Sequence, residues 1–583
     1  PGRARMVVGC APPPNAPCTR TIATGDSLHA VVNSGGVVCL DPGVYRLGGR
    51  PLQVTGPPTI WRSSDSSNPA IISGGAQLLD WRPCTDLTCP PGYGGAFTHS
   101  MEGIDAGVLP VRQLWVAGVR ATRRSVAGAA LNLSFPHGGF AFNSAAPGWL
   151  ASAADDQVEV RWPSVIENWI EPRCVVRRVN VSAKAMLLDA GCYANLEARI
   201  GKNQRPHPDG AFFENVAGPP AAGEFHATRS AVFYRPLGGT AAPPREAWVP
   251  LQEVLLEARG LRGHTFEHVT FEHSTSRQPS APGGYVEIQS AVLQNAPCPP
   301  HGCEPRGAIT VGASRNVSFL GCRFRRMGGT YALAIGGGSR AVVVRGCSFS
   351  DLSGGAIKLA SVGVDDGNAR ALSNDTAQWD ADYVVEENVV DGAALEWRGA
   401  SALFAGYVAR LSLQHNSIAE VGYTGISLGW GWGRVLSFAR DNHVRHNRLS
   451  GVMRALNDGG CIYTLGPQPG STVHGNYCAL DEAPVVGCFY HDNGSRGFVT
   501  TDNVADASPA GAPCVYLQGC CGAPAADVAV SGLWCRGVGA PRNGCAAENC
   551  TIDEATLHVV TGPWPEGAQA IIDAAGATTA PGL

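Results

Sequence analysis

Five asparagines constrain this chain more than any other feature. Asn388, Asn416, Asn447, Asn476 and Asn503 follow one another at intervals of 28, 31, 29 and 27 residues. Each follows a β-rich or polar stretch and precedes an apolar residue by one or two places. Self-similarity at this interval marks a chain that grows by stacking similar units. Leucine-rich repeats share the length, but their L-x-x-L-x-L pattern is absent. Short β-rich segments ending in Gly or Asn, such as Val342-Val-Val-Arg-Gly-Cys and Tyr383-Val-Val-Glu-Glu-Asn, recur across 260–505 without helical periodicity. The reading is all-β: each repeat is one coil of a parallel β-helix, a solenoid whose turn asparagines hydrogen-bond into a ladder.

A second landmark gives a register. Gly355-Ala-Ile-Lys-Leu, Gly425-Ile-Ser-Leu-Gly, Gly460-Cys-Ile-Tyr-Thr and Gly487-Cys-Phe-Tyr-His superpose on their first glycines. Alternate side chains of a strand leave opposite faces. Ile357, Leu359, Ile462, Thr464, Phe489 and His491 then form an interior row. Lys358, Tyr463 and Tyr490 form a solvent-facing row, continued one step on by Trp430, Leu465 and Asp492. A slip of one residue exchanges the two rows.

The rest of the chain fits around this helix. Residues 1–79 read as an N-terminal segment and opening coils, and 251–505 as the main helix. Residues 80–250 break the repeat with alternating segments such as Val111-Arg-Gln-Leu-Trp-Val-Ala and Val158-Glu-Val-Arg-Trp, which predict an inserted antiparallel β subdomain. Residues 506–583 read as Cys-rich terminal coils or a cap. Charged residues make up 16%, against about 25% in a typical domain, and 74 Gly and 42 Pro punctuate the chain, so long charged helices are not expected. The net charge of −4, with scattered Lys and Arg, excludes a basic stripe for nucleic acid. No apolar run is long enough for a membrane span.

Twenty cysteines, with Cys10 and Cys18, Cys84 and Cys89, and Cys298 and Cys303 placed to close small loops, point to disulfides and an oxidising compartment. Six sequons, at Asn132, Asn180, Asn316, Asn374, Asn493 and Asn549, point the same way. A secreted or extracellular protein is expected; its oligomeric state is not legible.

Four stretches carry a resemblance: Arg112-Gln-Leu-Trp-Val-Ala-Gly-Val-Arg-Ala-Thr-Arg, Glu214-Asn-Val through Gly223-Glu-Phe, Phe266-Glu-His-Val-Thr-Phe-Glu-His, and Asp458-Gly-Gly-Cys-Ile-Tyr-Thr-Leu-Gly. Over roughly 25–505 the chain resembles the right-handed parallel β-helix proteins of the pectin-lyase-like superfamily, close to glycoside hydrolase family 141. The resemblance implies a right-handed helix with an inserted β domain and hydrolysis of plant-type polysaccharides or their fucosyl branches. It points to Asp458 and Asp492 as the catalytic carboxylates.

Glycoside hydrolysis uses two carboxyl groups flanking the bond. For each aspartate the structural alternative is a turn residue capping backbone amides. The register separates them by seven positions, up to about 23 Å if extended, unless the turn at Gly459-Gly460 is sharp. Trp430, Trp432, Tyr463, Tyr490, His491 and Lys358 are candidate contacts to a polysaccharide or glycan, with loop packing the alternative for Gly-Trp-Gly-Trp-Gly. An acidic loop carrying Asp365, Asp366, Asp375, Asp380 and Asp382 leaves the same edge. It raises a weaker Ca²⁺-dependent polysaccharide lyase reading with Lys358 as base, although a defined calcium-loop spacing is missing. No other cofactor is expected. His264, His268 and His273 beside Glu267 and Glu272 suggest metal ligands, but their mixed parity sends them to both strand faces. The competing function is a non-catalytic extracellular scaffold or carbohydrate-binding helix.

Overall fold

Three parallel sheets of 13, 12 and 11 strands run along the molecule, and successive strands of the chain visit them in rotation. The computed structural model describes residues 16–578 other than 86, 106, 108, 137, 144, 164–166, 201–209, 240–241, 295–303, 305, 363–371, 481–485, 508–510 and 538–540. One coil shows the pattern. Arg315–Leu320 lies in the first sheet, Arg323–Met327 in the second and Tyr331–Gly336 in the third, and Arg340–Arg345 then returns to the first. The chain is a parallel β-helix.

The corner between the first and second sheets explains the asparagine repeat. One residue there turns the chain in the left-handed region, for example His415 at φ 53°, Gly475 at φ 66° and Asp502 at φ 54°. The next residue is the ladder asparagine. Asn388 Nδ2 donates to Asn416 Oδ1 at 2.9 Å, Asn416 to Asn447 at 2.9 Å, Asn447 to Asn476 at 3.0 Å and Asn476 to Asn503 at 3.0 Å. All five are buried. Each Nδ2 also reaches a backbone carbonyl of the preceding coil, such as Leu413 O at 3.0 Å from Asn447. A polar group in this interior is tolerated because its hydrogen-bonding capacity is used. Before the ladder, Cys322 and Cys347 occupy the same corner as buried free thiols, and the interior continues in aromatic stacks such as Phe324 on Phe349, with centroids 4.6 Å apart.

The interior row is as read: Ile357, Leu359, Ile462 and Phe489 belong to the central hydrophobic core. Gly425 is one place out of register with the other landmarks. Ile426 pairs with Ile462, whereas Gly460 and Gly487 precede the paired Ile462 and Phe489 by two. The outward row is Lys358, Phe404, Ser427, Tyr463, Tyr490 and Tyr516, one residue per coil. It is not open to solvent through its middle: Lys358, Tyr463 and Tyr490 are buried, because chain excursions lie across this face.

The largest excursion leaves through Gly75–Leu78 and returns through Ala247–Pro250, two strands that pair antiparallel. Between them lie mostly antiparallel sheets of four, five and seven strands, with their own hydrophobic clusters. An 11-residue helix, Ala190–Ile200, sits among these strands. The excursion is tied to the helix by Arg120, which pairs with Asp351 and Glu396 at 2.5 Å each, and by Trp115 Nε1 donating to Asp351 at 2.7 Å. Strands beyond 505 continue the three sheets to Leu557–Val560.

Seven disulfides join described residues. Cys84 bonds Cys89 as its spacing suggested. Cys18 bonds Cys39 rather than Cys10, because Arg20–Ile22 runs parallel beside Gly36–Leu40 and brings the two together. Cys10, Cys298 and Cys303 lie outside the described residues. No helix among the described residues is long and apolar enough to cross a membrane.

Candidate active site

Asp492 follows the third-sheet strand Phe489–His491 and shares the outward parity of Tyr490. Its backbone N–H donates to Thr464 O of the preceding coil at 3.1 Å, which extends the sheet by one residue. The stacked tyrosines then converge on its carboxylate. Tyr463 donates to Oδ2 at 2.5 Å and Tyr490 to Oδ1 at 2.9 Å. Gln518 of the next coil donates to the Tyr490 hydroxyl at 3.3 Å.

Asp458 arrives by a different route. It is in the left-handed region at φ 61°, and Tyr423 holds its carbonyl with a hydrogen bond of 2.8 Å. The two glycines that follow allow backbone contacts that no side chain would permit. A Cβ at Gly459 would lie 2.4 Å from Thr424 Oγ1, and one at Gly460 2.2 Å from Gly487 O. This sharp turn removes the extended separation that the register implied: Asp458 and Asp492 line one pocket.

The pocket has a volume of about 490 Å³, within the range of small-ligand sites. Its floor is the outward row, with Tyr463, Tyr490, Asp492, Asn493 and Gln518. Trp432 lines it from the loop after the coil strand Ile426–Leu428. The excursions supply Trp169, Arg199, Ile288 and Gln289, and Cys521 completes the wall. Trp169 Nε1 donates to Ile288 O at 2.8 Å, while Asn457 N donates to Asn168 O at 2.9 Å, so the excursion is fastened beside Asp458.

Burial, and then the charge of Asp492, push the Asp458 carboxyl up to about 6; a hydrogen bond from Tyr490 opposes them. Burial also raises Asp492, against hydrogen bonds led by Tyr463. The Tyr490 hydroxyl therefore gives its one proton to Asp492 and lies close enough to Asp458 to affect both carboxyls. Burial and these carboxylates hold the tyrosine hydroxyls protonated, as donors. Glu167 lies close enough to raise Asp458 further, and it pairs with Arg199 at 2.5 Å.

The chain is similar to a solved structure described as a glycoside hydrolase, with a TM-score of 0.70 and 21% identity over 94% of this chain and 92% of that one. The two share one fold. It is also similar to XylC in complex with xylose, at a TM-score of 0.42 and 9% identity over 89% of this chain and 66% of that one. A third likeness, to the tailspike protein gp49 from Pseudomonas phage LKA1, has a TM-score of 0.22 and 10% identity over 92% and 75%. Comparisons with protein families and with curated proteins found no match.

Of the residues singled out by sequence, Asp458, Asp492, Trp432, Tyr463 and Tyr490 meet at this pocket. His491 does not. It points inward, bonded to Thr464 at 2.8 Å and Thr500 at 2.9 Å, and burial pushes its pKa down to about 4. Lys358 is covered and engaged by Glu304 and by Ala360 O. Trp430 is 3% exposed, packed edge-on to Phe404 and to Trp432, because the slip at Gly425 moves it out of the row assigned to it. Asp380 binds the backbone of Gly338 and Ser339, and Asp382 pairs with Arg410 at 2.6 Å. Asp365 and Asp366 lie outside the described residues. His273 stacks on Trp248 at 4.9 Å, and among the described residues no cluster of His, Cys, Asp or Glu is arranged to hold a metal.

The sequon at Asn493 is also corrected. Its side chain is buried, and Nδ2 donates to Cys520 O at 2.8 Å and Ala523 O at 3.1 Å, which leaves a glycan no exit. Asn132, Asn180, Asn316, Asn374 and Asn549 are exposed. Trp169, Arg199 and Gln289 were missed by sequence reasoning, since nothing local signals that their segments fold back onto the third sheet; Gln518, one coil after Asp492 in the same register, was missed because the residues after 505 read as a terminal cap. The adjacent Cys520-Cys521 pair was a visible signal left unread.

Proposed function

We propose that the chain is a secreted glycoside hydrolase acting on a neutral cell-wall or extracellular polysaccharide. The observation that carries this reading is that Asp458 and Asp492 line one Trp-lined pocket and are close enough for each charge to act on the other. Two interacting carboxyls titrate as a pair. The first proton belongs on Asp458, whose pKa is raised, because Asp492 accepts from two tyrosines and hydrogen bonds to a carboxylate favour its charged form. Asp458 is then the general acid that protonates the leaving oxygen. Asp492 is the nucleophile or the base that activates water. Trp432 and Trp169 offer apolar faces to the sugar ring. The disulfides support the extracellular setting.

Charge favours a neutral sugar. Among the described residues, Asp458 and Asp492 line the pocket with one cation, Arg199, which Glu167 already engages. An ionised uronate would meet like charge. The same argument weighs against the lyase reading, as does the engagement of its candidate base Lys358 by Glu304.

The test is release of sugar from a panel of neutral and acidic polysaccharides by the wild type, Asp492→Asn and Asp458→Asn. Hydrolysis of a neutral substrate, abolished in Asp492→Asn with thermal stability nearly unchanged, is expected. Retained activity in that variant removes Asp492 from the mechanism.

A further inference from the structure

Cys520 and Cys521, neighbours in sequence, are bonded to each other. The other described disulfides span 5 to 21 residues. A cross-link stabilises mainly by removing loop-closure freedom from the unfolded chain, and that term grows with the loop enclosed. A bond between neighbours encloses almost none. Stability therefore gives little reason for this disulfide, and its position offers another.

Both cysteines are exposed, and Cys521 forms part of the pocket wall with Trp432 and the two aspartates. The loop is held from beneath. Gln518 Oε1 accepts from the N–H groups of Gly519 at 3.0 Å and Cys520 at 3.2 Å, and Asn493 Nδ2 donates to Cys520 O at 2.8 Å. Gly522 and Ala523 follow, so the sulfurs are the bulkiest apolar atoms that this loop presents. The two cysteines close a small ring whose exposed edge is polarizable sulfur, a surface suited to dispersion contact. Of the backbone groups beneath, the Gly519 and Cys520 N–H groups and Cys520 O are already paired.

We propose that the Cys520–Cys521 disulfide is a sugar-contact platform, packing against the C–H face of a neutral pyranose at the rim of the pocket. This rests on the glycan-binding reading of the pocket but not on hydrolysis. The rigid ring gives contact area without the ordering cost of a flexible side chain. It complements Trp432 with a smaller surface.

The test replaces the pair by alanine, Cys520→Ala/Cys521→Ala, with and without Asp492→Asn. Binding is first screened on an array of neutral and acidic cell-wall oligosaccharides, and the tightest ligand of the wild type is carried into calorimetry. The platform predicts a five- to tenfold weaker Kd in both backgrounds. Where that ligand is hydrolysed, KM rises by a similar factor and kcat stays within about twofold. An unchanged Kd with a folded variant, verified by an unaltered Tm, overturns the platform alone. A fall in kcat at constant Kd also overturns it and makes the loop a positioning element for Asp492. Ligand binding that needs the disulfide, without hydrolysis by the wild type, supports the platform and overturns the hydrolase. No binding of any glycan overturns both.

Discussion

The Tyr463 hydroxyl donates to Asp492 Oδ2 across the step between two adjacent coils, at 2.5 Å. The hydrogen bond exists because residues 463 and 490 are paired in register, so the coil that carries the tyrosine also orients the carboxylate of the next. Removing the hydroxyl leaves Asp492 with one fewer donor to its charged form, and its pKa rises. Tyr463→Phe is expected to move the acidic limb of kcat/KM to higher pH, while kcat on the plateau falls less than in Asp492→Asn. An unshifted limb would assign that ionisation to another group.

Asp458 has a linked signature in stability. Its folded pKa of about 6 stands above the ordinary carboxyl value, so the protonated form is favoured by the fold. The fold is penalised by the charge above pH 6, regains stability as pH falls through about 6 towards 4, and has regained it fully below the unfolded value. Asp458→Asn carries no such charge. It should melt higher than the wild type at pH 8, by the equivalent of about 1–3 kcal/mol, and converge with it near pH 4. Its kcat should fall by about 10²–10⁴ if it is the general acid.

The two tryptophans of the Gly-Trp-Gly-Trp-Gly run should separate cleanly. Trp430 is packed against Phe404, and Trp430→Ala should cost about 3–5 kcal/mol of stability, read by denaturant unfolding. Trp432 lines the pocket, and Trp432→Ala should raise KM about tenfold, the equivalent of about 1.4 kcal/mol, with a small change in Tm. Equal effects on Tm would place both in the core.

The ladder predicts a cost confined to the interior. In Asn447, Oδ1 accepts from the backbone and side chain of Asn416, at 3.0 and 2.9 Å, and Nδ2 donates to Leu413 O and Asn476. Asn447→Leu strands several of these buried groups and should destabilise by about 2–4 kcal/mol. Asn374→Gln, at an exposed sequon with ordinary backbone, should stay within about 0.5 kcal/mol.

Glycopeptide mass spectrometry after expression through a eukaryotic secretory pathway should find no glycan on Asn493, with any occupancy confined to the exposed sequons. A glycan on Asn493 would mean that its Nδ2 is not committed to Cys520 O and Ala523 O in the folded protein.

The helix was legible because its signals are local and repeated. Asn416 and Asn447 report the coil length directly, and strand parity alone sends Tyr490 and Asp492 to the same face. The site was legible only on the coils themselves. Asp458 looked remote because a linear register cannot express the fold-back at Gly459-Gly460, where contacts with Thr424 and Gly487 set the chain path. Lys358 looked accessible because the sequence does not show which loop will cover it. Trp430 was misplaced by one residue, the error to which an alternating pattern is most sensitive. Trp169 and Gln289 belong to excursions whose docking depends on the whole subdomain.

The excursion through the antiparallel sheets also bears on how the chain is made. The strand Thr59–Ser63 finds its downstream neighbour in Arg262–Glu267, and the Arg62–Glu267 pair across that seam is 205 residues apart in sequence. At ordinary rates of synthesis the opening coils emerge some 10–40 s before the strand that covers them. Through that interval their stacking face is an unprotected template for pairing with another chain. The later coils, each about thirty residues from the next, carry no such delay, and assembly that starts among them and grows backwards leaves the seam at Trp61 and Phe266 as the last joint to close.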